Sequence, residues 1–169
     1  MRHSAAAGDA HRRDDAVDAA DAAYDVQADV SPDGDAEYDA RPPAGQAQKT
    51  VLVVEDDEAV SSLLVALLED RGYVAIPALD GRRAIELARE HQPDLITLDL
   101  ALPGTDGHEV LQNLKTHPTT RDIPVVVISA FTQILPAGER KKLAYLLGKP
   151  FDVTEVLEIV QATVGNPYL

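Results

Sequence analysis

Carboxylates follow two apolar segments of this sequence directly. Glu55 and Asp56 come after TVLVV, residues 50–54, and Asp99 ends the run DLITLD that begins at residue 94. Carboxylates brought within about 4–6 Å of one another repel unless a cation lies between them. Mg²⁺ suits such a group, because it takes one or two carboxylates, keeps several waters and bridges to phosphate oxygens. The pattern therefore indicates a magnesium site, provided that the chain brings the two segment ends together.

A hydroxyl and a lysine occupy comparable positions further along the chain. Ser129 ends the apolar run PVVVIS, residues 124–129, and Lys149 precedes Pro150. Each alone has an ordinary explanation, since such a serine usually bonds backbone and such a lysine is usually a surface residue. Together with the carboxylates they favour phosphoryl chemistry, in which Asp99 is a nucleophile that becomes an acyl phosphate. A metal and Lys149 would neutralise charge on the phosphoryl group, and Ser129 would donate to one of its oxygens.

The apolar runs and the segments between them predict the elements that position these groups. Short, continuous runs rich in Val and Ile are typical of strands buried on both faces of a parallel sheet. A weaker strand is predicted at about 74–77. Helical periodicity marks four intervening segments, at residues 60–68, 84–88, 110–114 and 156–164. Asp80 and Asp152 are predicted helix caps. The alternation predicts a doubly wound α/β fold with a five-stranded parallel sheet, in which ligands bind beyond the carboxyl ends of the strands.

Composition excludes several classes of function. The chain of 169 residues has 29 acidic and 15 basic residues, a formal net charge of −14, so we expect no binding to nucleic acid. It has no cysteine, which excludes disulfides and thiolate metal sites. No apolar run approaches the roughly 18 residues of a membrane-spanning helix, and the N-terminus lacks the apolar centre of a secretory signal. We therefore expect a cytoplasmic protein that does not bind membranes.

The first 48 residues differ in composition from the rest. They contain 11 acidic and 4 basic residues, are rich in Ala and Asp, and have no Leu, Ile, Phe or Trp. Such a segment cannot bury enough apolar area to offset chain entropy, so residues 1–48 are predicted to be a disordered acidic tail. The alternative is a short helix, with Val17 and Tyr24 on one face, that forms only on a partner. Residues 49–166 are predicted to form the folded domain.

Four motifs in order, VLVVEDDE, DLALPGTDG, VVVISA and GKPF, make residues 49–166 resemble the receiver domain of bacterial response regulators, of the single-domain chemotaxis type. The resemblance implies a flavodoxin-like strand order 2-1-3-4-5 and a cis Lys149–Pro150 bond. It also implies that Asp57 only helps to start the first helix. The residues to which it assigns site roles are Glu55, Asp56, Asp99 and the backbone carbonyl of Ala101 for Mg²⁺, Asp99 as phosphoacceptor, Ser129 as switch hydroxyl, and Lys149.

The resemblance further implies a phosphorelay function. The chain would accept a phosphoryl group on Asp99 from a histidine kinase or a histidine phosphotransfer protein, and would signal by contact with an unknown downstream protein. Because the sequence ends soon after the last predicted helix, we expect a stand-alone regulator. It would be no enzyme beyond catalysing its own Mg²⁺-dependent phosphorylation and dephosphorylation.

Three other functions are compatible with parts of the sequence. A receiver-like binding module that acts without phosphorylation is the nearest, and the complete acidic set argues against it. A flavodoxin-type FMN binder is disfavoured because the EDDE sequence after the first strand would repel phosphate. A haloacid-dehalogenase-type phosphatase would need a second acid two residues after the nucleophile, where Ala101 stands.

The segment between Ser129 and Lys149 departs from the family pattern. It is shorter than usual, and Leu146 occupies a position where the family often has Tyr or Phe. Pro136 must either start the fourth helix or break it. The output surface formed by the fourth helix, fifth strand and fifth helix is therefore expected to differ from the usual one.

Overall fold

The computed structural model of the chain describes residues 47–130 and 132–167. Five parallel strands form one sheet in the order β2-β1-β3-β4-β5, which confirms the predicted fold class and strand order. Their bounds are β1 Thr50–Val54, β2 Val74–Ala78, β3 Leu95–Leu98, β4 Val125–Ser129 and β5 Tyr145–Gly148.

Helices connect successive strands, and most begin at an aspartate that caps them. Their bounds are α1 Glu58–Asp70, α2 Gly81–His91, α3 Gly107–Thr116, α4 Ala137–Arg140 and α5 Val153–Val164. The side chains of Asp57, Asp80, Asp106 and Asp152 each accept hydrogen bonds from backbone N–H groups in the first turn of the following helix. The predicted caps Asp80 and Asp152 are thereby confirmed, and Asp57 starts α1 as expected.

The sheet separates two apolar layers. Alternate strand residues point to opposite faces, so Leu52 and Ile96 contribute to the core under α2 and α3, while Val51 and Val53 contribute to the core under α1 and α5. All four are fully buried. Burial on both faces explains why the strands are continuous apolar runs, and it holds their carboxyl ends in a fixed arrangement.

The connection from β4 to β5 is short and mostly irregular. A 3₁₀ turn, Thr132–Ile134, is followed by Pro136, which directly precedes the four-residue α4 and therefore starts that helix. None of the four residues of α4 is buried. Leu146 on β5 packs, partly buried, against the core under α2 and α3. The Lys149–Pro150 bond that follows β5 is cis, as the family resemblance implied.

Candidate functional site

Three carboxylates meet at the carboxyl edge of the sheet. Val54 is paired with Leu98 in the parallel ladder of β1 and β3, so the residues that follow them, Glu55 and Asp99, are neighbours. Glu55 and Asp99 are buried, with 3% and 4% of their surfaces exposed, and Asp56 is half-buried. One carboxylate oxygen from each of the three acids lies within 4.8 Å of the others. The predicted grouping of these acids is therefore present, with an arrangement that could hold a metal ion.

Lys149 bridges two of these acids. Its Nζ donates hydrogen bonds to Glu55 Oε2 at 2.7 Å and to Asp99 Oδ2 at 2.5 Å. Burial lowers the pKa of Lys149, but hydrogen bonds and charge from Asp99 and Glu55 outweigh burial and raise the pKa above its ordinary value. The ammonium is therefore charged at neutral pH.

In Glu55, unlike Lys149, burial has the larger effect on the pKa. Burial raises the pKa of its carboxyl group, and the hydrogen bond and charge of Lys149 offset only part of that increase. Its Oε1 also accepts a 3.3 Å hydrogen bond from the N–H of Asp57. A buried carboxylate with one lysine partner and acidic neighbours gains stability from any cation that binds there.

The loop after β3 holds the Asp99 side chain in place. The backbone N–H of Ala101 donates to Asp99 Oδ1 at 2.9 Å, so both carboxylate oxygens of Asp99 accept hydrogen bonds. Pro103 and Gly104 then form a turn, in which Gly104 adopts a φ of +72°, a conformation that glycine takes readily. Asp99 thus directly follows the buried strand β3, and the tight loop after it orients the carboxylate.

Ser129 lies at the same edge as the carboxylates. It is the last residue of β4, which is the neighbour of β3, and it is fully buried. Its carbonyl oxygen accepts a 3.1 Å hydrogen bond from the backbone N–H of Lys149, which joins the ends of β4 and β5. The next residue, Ala130, is exposed and small. The predicted site residues Glu55, Asp56, Asp99, Ser129 and Lys149 therefore all lie at or just after the end of a strand on this edge.

Contacts that hold the segment after Ser129 were not predicted. Arg140 donates from Nε to the carbonyl oxygen of Leu135 and from Nη2 to those of Thr132 and Gln133, at 3.0–3.2 Å. A second link joins His108 Nδ1 on α3 to Glu139 Oε2 on α4 at 2.9 Å. The His108–Glu139 pair is separated by 31 residues, and nothing local in the sequence marks either contact.

Comparison with known proteins agrees with this fold. The family model of the response regulator receiver domain matches residues 51–161. The polar-differentiation response regulator DivK of Brucella anthropi is 36% identical over 124 residues, which cover 70% of this chain and 98% of DivK. The DNA-binding dual master transcriptional regulator RpaA of Synechocystis is 43% identical over 114 residues, which are 66% of this chain but only 47% of RpaA.

Solved structures of receiver domains have a similar fold. A CheY-like receiver domain from Methylobacillus flagellatus matches with a TM-score of 0.63 and 27% identity, over 69% of this chain and 98% of that one. The receiver domain of the sensor histidine kinase PA1611 from Pseudomonas aeruginosa, solved with magnesium coordinated in its active-site cleft, matches with a TM-score of 0.62 and 27% identity. That match covers 70% of this chain and 99% of the PA1611 domain.

The fold, the acidic site and the matches together identify a phosphorylation-based signalling module rather than a classical enzyme. The chain belongs to the response regulator receiver domain family of two-component systems. Receiver domains interact with histidine kinases or phosphotransfer proteins, and their acidic site binds Mg²⁺. Within the described part of the chain, no helix is both long and apolar enough to cross a membrane.

Proposed function

We propose that this chain is a stand-alone response regulator that accepts a phosphoryl group on Asp99 from a histidine kinase or phosphotransfer protein and signals by protein contact. The observation that supports this most directly is the position of the Asp99 carboxylate, buried at a strand end among acids, with Lys149 on one oxygen and the Ala101 N–H on the other. DivK supports the stand-alone assignment, because the match extends over nearly all of its length.

The proposed reaction is one displacement at phosphorus. A carboxylate oxygen of Asp99 forms a bond to the phosphorus of a phosphohistidine while the P–N bond breaks, and the electron pair of that bond stays on the imidazole nitrogen of the donor. The product is an aspartyl acyl phosphate. Hydrolysis by water would later return the carboxylate and release inorganic phosphate, so the domain would catalyse only its own phosphorylation and dephosphorylation.

The acid cluster fits Mg²⁺. The proposed ligands are the carboxylates of Glu55, Asp56 and Asp99 and the backbone carbonyl of Ala101, all of them the hard oxygen donors that Mg²⁺ prefers. The metal would neutralise charge on the phosphoryl oxygens. Two of the acids are nearly inaccessible to solvent, which strengthens their attraction for a cation.

Lys149 and Ser129 have separate proposed roles. The Lys149 ammonium would stay near Asp99 and pair with a phosphoryl oxygen, since its raised pKa keeps it charged. The Ser129 hydroxyl would donate to another phosphoryl oxygen and thereby shift the domain between inactive and active populations. Ala130 would leave room for the incoming group.

The proposed domain boundaries are 1–48 for the acidic tail and 49–166 for the receiver domain. The family match over 51–161 supports the second range. The tail, including the face with Val17 and Tyr24, lies outside the described residues apart from its last two, so its predicted disorder remains a prediction. We also propose a cytoplasmic location and a protein as the downstream partner.

Acetyl phosphate labelling tests the function without knowledge of the kinase. The full chain, incubated with acetyl phosphate and Mg²⁺, should give a retarded band in a Phos-tag gel that is absent for Asp99→Asn and absent when the metal is chelated. Asp106→Asn is the matched control, because Asp106 lies in the same loop but caps α3. A parent chain that is never labelled would instead favour a receiver-like module that acts without phosphorylation.

A further inference from the structure

Gly107 makes an unusually close approach to the backbone beside the phosphoacceptor. A Cβ atom at this position would lie 2.4 Å from Leu100 Cα and 2.5 Å from the Leu100 carbonyl oxygen. Neither distance is possible for a real Cβ atom, and both atoms belong to the main chain, which cannot rotate away. Only glycine therefore allows the first turn of α3 to lie this close to Leu100.

Conformation does not explain this glycine. Among the described residues, the glycines with positive φ are Gly72, Gly104 and Gly165, and Gly107 is not one of them. A glycine within a helix is less favourable than alanine, because it loses more backbone freedom on folding. The residue at 107 is thus explained by the space that it leaves for Leu100.

Leu100 lies between two groups of the site. Asp99 precedes it, Ala101 follows it, and the Ala101 N–H donates to Asp99 Oδ1 across it. The Leu100 side chain is 7% exposed and packs in the core under α2 and α3. The backbone of Leu100 is therefore anchored by its own buried side chain and lies in close contact with Gly107.

We propose that Gly107 is a positioning residue for the metal and phosphoryl site, acting through Leu100 on the peptide that joins Asp99 to Ala101. This inference rests on the proposed function of that site. A side chain at 107 would displace the Leu100 backbone, and with it the Ala101 carbonyl, relative to the other metal ligands. Metal sites are sensitive to such supporting groups, whose loss typically lowers affinity by about 10–100-fold.

Gly81 provides a matched control. A Cβ atom there would lie 2.4 Å from Val110 Cγ2 and 2.8 Å from Thr105 Cγ2, so it is as crowded as Gly107. The nearest atoms are side-chain atoms, and none belongs to residues 99–101. Gly81→Ala should therefore destabilise the domain without moving the metal ligands. Gly138, which has no atom within 4 Å of such a Cβ, controls for the substitution itself.

The test is a Mg²⁺ titration of the full-length chain, monitored by NMR shifts of the Asp56 and Ala101 amides, with thermal unfolding measured on the same samples. Gly107→Ala should weaken Mg²⁺ binding by about tenfold or more. Gly81→Ala and Gly138→Ala should keep the affinity of the parent to within about twofold, the first with a lowered unfolding midpoint. If Gly107→Ala lowers the midpoint but binds Mg²⁺ like the parent, Gly107 is merely structural and the inference is wrong.

A second pair of variants applies if Gly107→Ala does not fold. Leu100→Ala removes the side chain that holds the same peptide, while Leu87→Ala removes a leucine of similar burial, 5% exposed, from the same core. We expect weaker Mg²⁺ binding for Leu100→Ala than for Leu87→Ala at comparable loss of stability. Equal affinities would overturn the inference, and so would a parent chain that binds no Mg²⁺ at millimolar concentration. If Gly107→Ala weakens Mg²⁺ binding but acetyl phosphate does not label the parent, the proposed phosphorylation fails, while the role of Gly107 at the metal site stands.

Discussion

Lys149 Nζ lies 2.5 Å from Asp99 Oδ2, although the strands that the two residues follow are not neighbours. Strand β4 separates β3 from β5, so the lysine extends past the end of β4 to reach the aspartate. Its long side chain allows this, and only 22% of it is exposed. The ion pair therefore joins the residues that follow β3 and β5, and it depends on how the sheet positions these two strands.

Replacing Lys149 with methionine should destabilise the domain in the absence of Mg²⁺. The change leaves Glu55 and Asp99 buried without their cation, at a cost of about 1–3 kcal/mol in the free energy of unfolding. Mg²⁺ should restore part of this loss and should bind more tightly than in the parent, because a competing positive charge is gone. Denaturant unfolding with and without Mg²⁺ measures both effects.

Lys49→Met is the control for that variant. Lys49 also pairs with an aspartate, Asp94, at 3.0 Å, but both side chains are about one-third exposed. Such a pair contributes about 0–1 kcal/mol, and it is remote from the acids of the site. An equal loss of stability in the two variants, or a Mg²⁺ response unchanged by Lys149→Met, would contradict the role given to Lys149.

Mg²⁺ binding should weaken in mild acid. Burial raises the pKa of Glu55 above its ordinary value of 4.5, so this carboxylate takes up a proton at a higher pH than an exposed glutamate does. A proton and a metal ion compete for the same oxygens. The affinity for Mg²⁺ is therefore highest well above the raised pKa and decreases as the pH falls through it. The increase in unfolding midpoint caused by Mg²⁺, measured from pH 8 down to pH 4, should become smaller as the pH approaches and passes the raised pKa. A constant increase would count against Glu55 as a ligand.

Arg140 should control the rigidity of the segment after Ser129. Its guanidinium donates to three carbonyl oxygens of that segment, and α4 itself buries no residue. Arg140→Ala should lower local stability by about 1 kcal/mol, seen as faster amide exchange at residues 132–143. The neighbouring Lys141→Ala removes an exposed charge only and should leave exchange there unchanged. Equal exchange in the two variants would show that the hydrogen bonds of Arg140 contribute little.

Phosphorylation should remodel mainly the segment after Ser129 rather than β5. Leu146 packs against the core and is not an aromatic side chain that could turn inward, while Tyr145 is 47% exposed. A beryllofluoride mimic at Asp99 should shift the amides of residues 130–135, a stretch that includes Phe131, a residue outside the described part of the chain. Large shifts centred on Tyr145 and Leu146 instead would indicate that Tyr145 serves as the reporting aromatic residue.

The sequence was sufficient to predict the sheet and the grouping of acids, for physical reasons. Strands buried on both faces must be continuous apolar runs, and parallel strands bring their carboxyl ends to one edge, so Asp56, Asp99 and Ser129 could be assigned to one site. Helix caps such as Asp80 depend only on residues nearby in the sequence, so they could be predicted as well.

Other features depend on packing between distant segments. The approach of Gly107 to Leu100 is a steric relationship that no spacing in the sequence encodes. The same is true of the link between His108 and Glu139, which joins two helices. The fourth helix was expected from the family pattern, but it contains only four residues, and the sequence did not predict how short it would be.

The position of the phosphoryl group tests the role of Asp99 most directly. After treatment with acetyl phosphate and Mg²⁺, borohydride reduction converts an aspartyl phosphate to homoserine, which peptide mass spectrometry can assign to one residue. We predict homoserine at position 99 alone, with none in Asp99→Asn and no change in Asp106→Asn. Modification at Asp56 or Asp106 in place of Asp99, or no modification while Mg²⁺ still binds, would contradict the assignment of Asp99 as the phosphoacceptor.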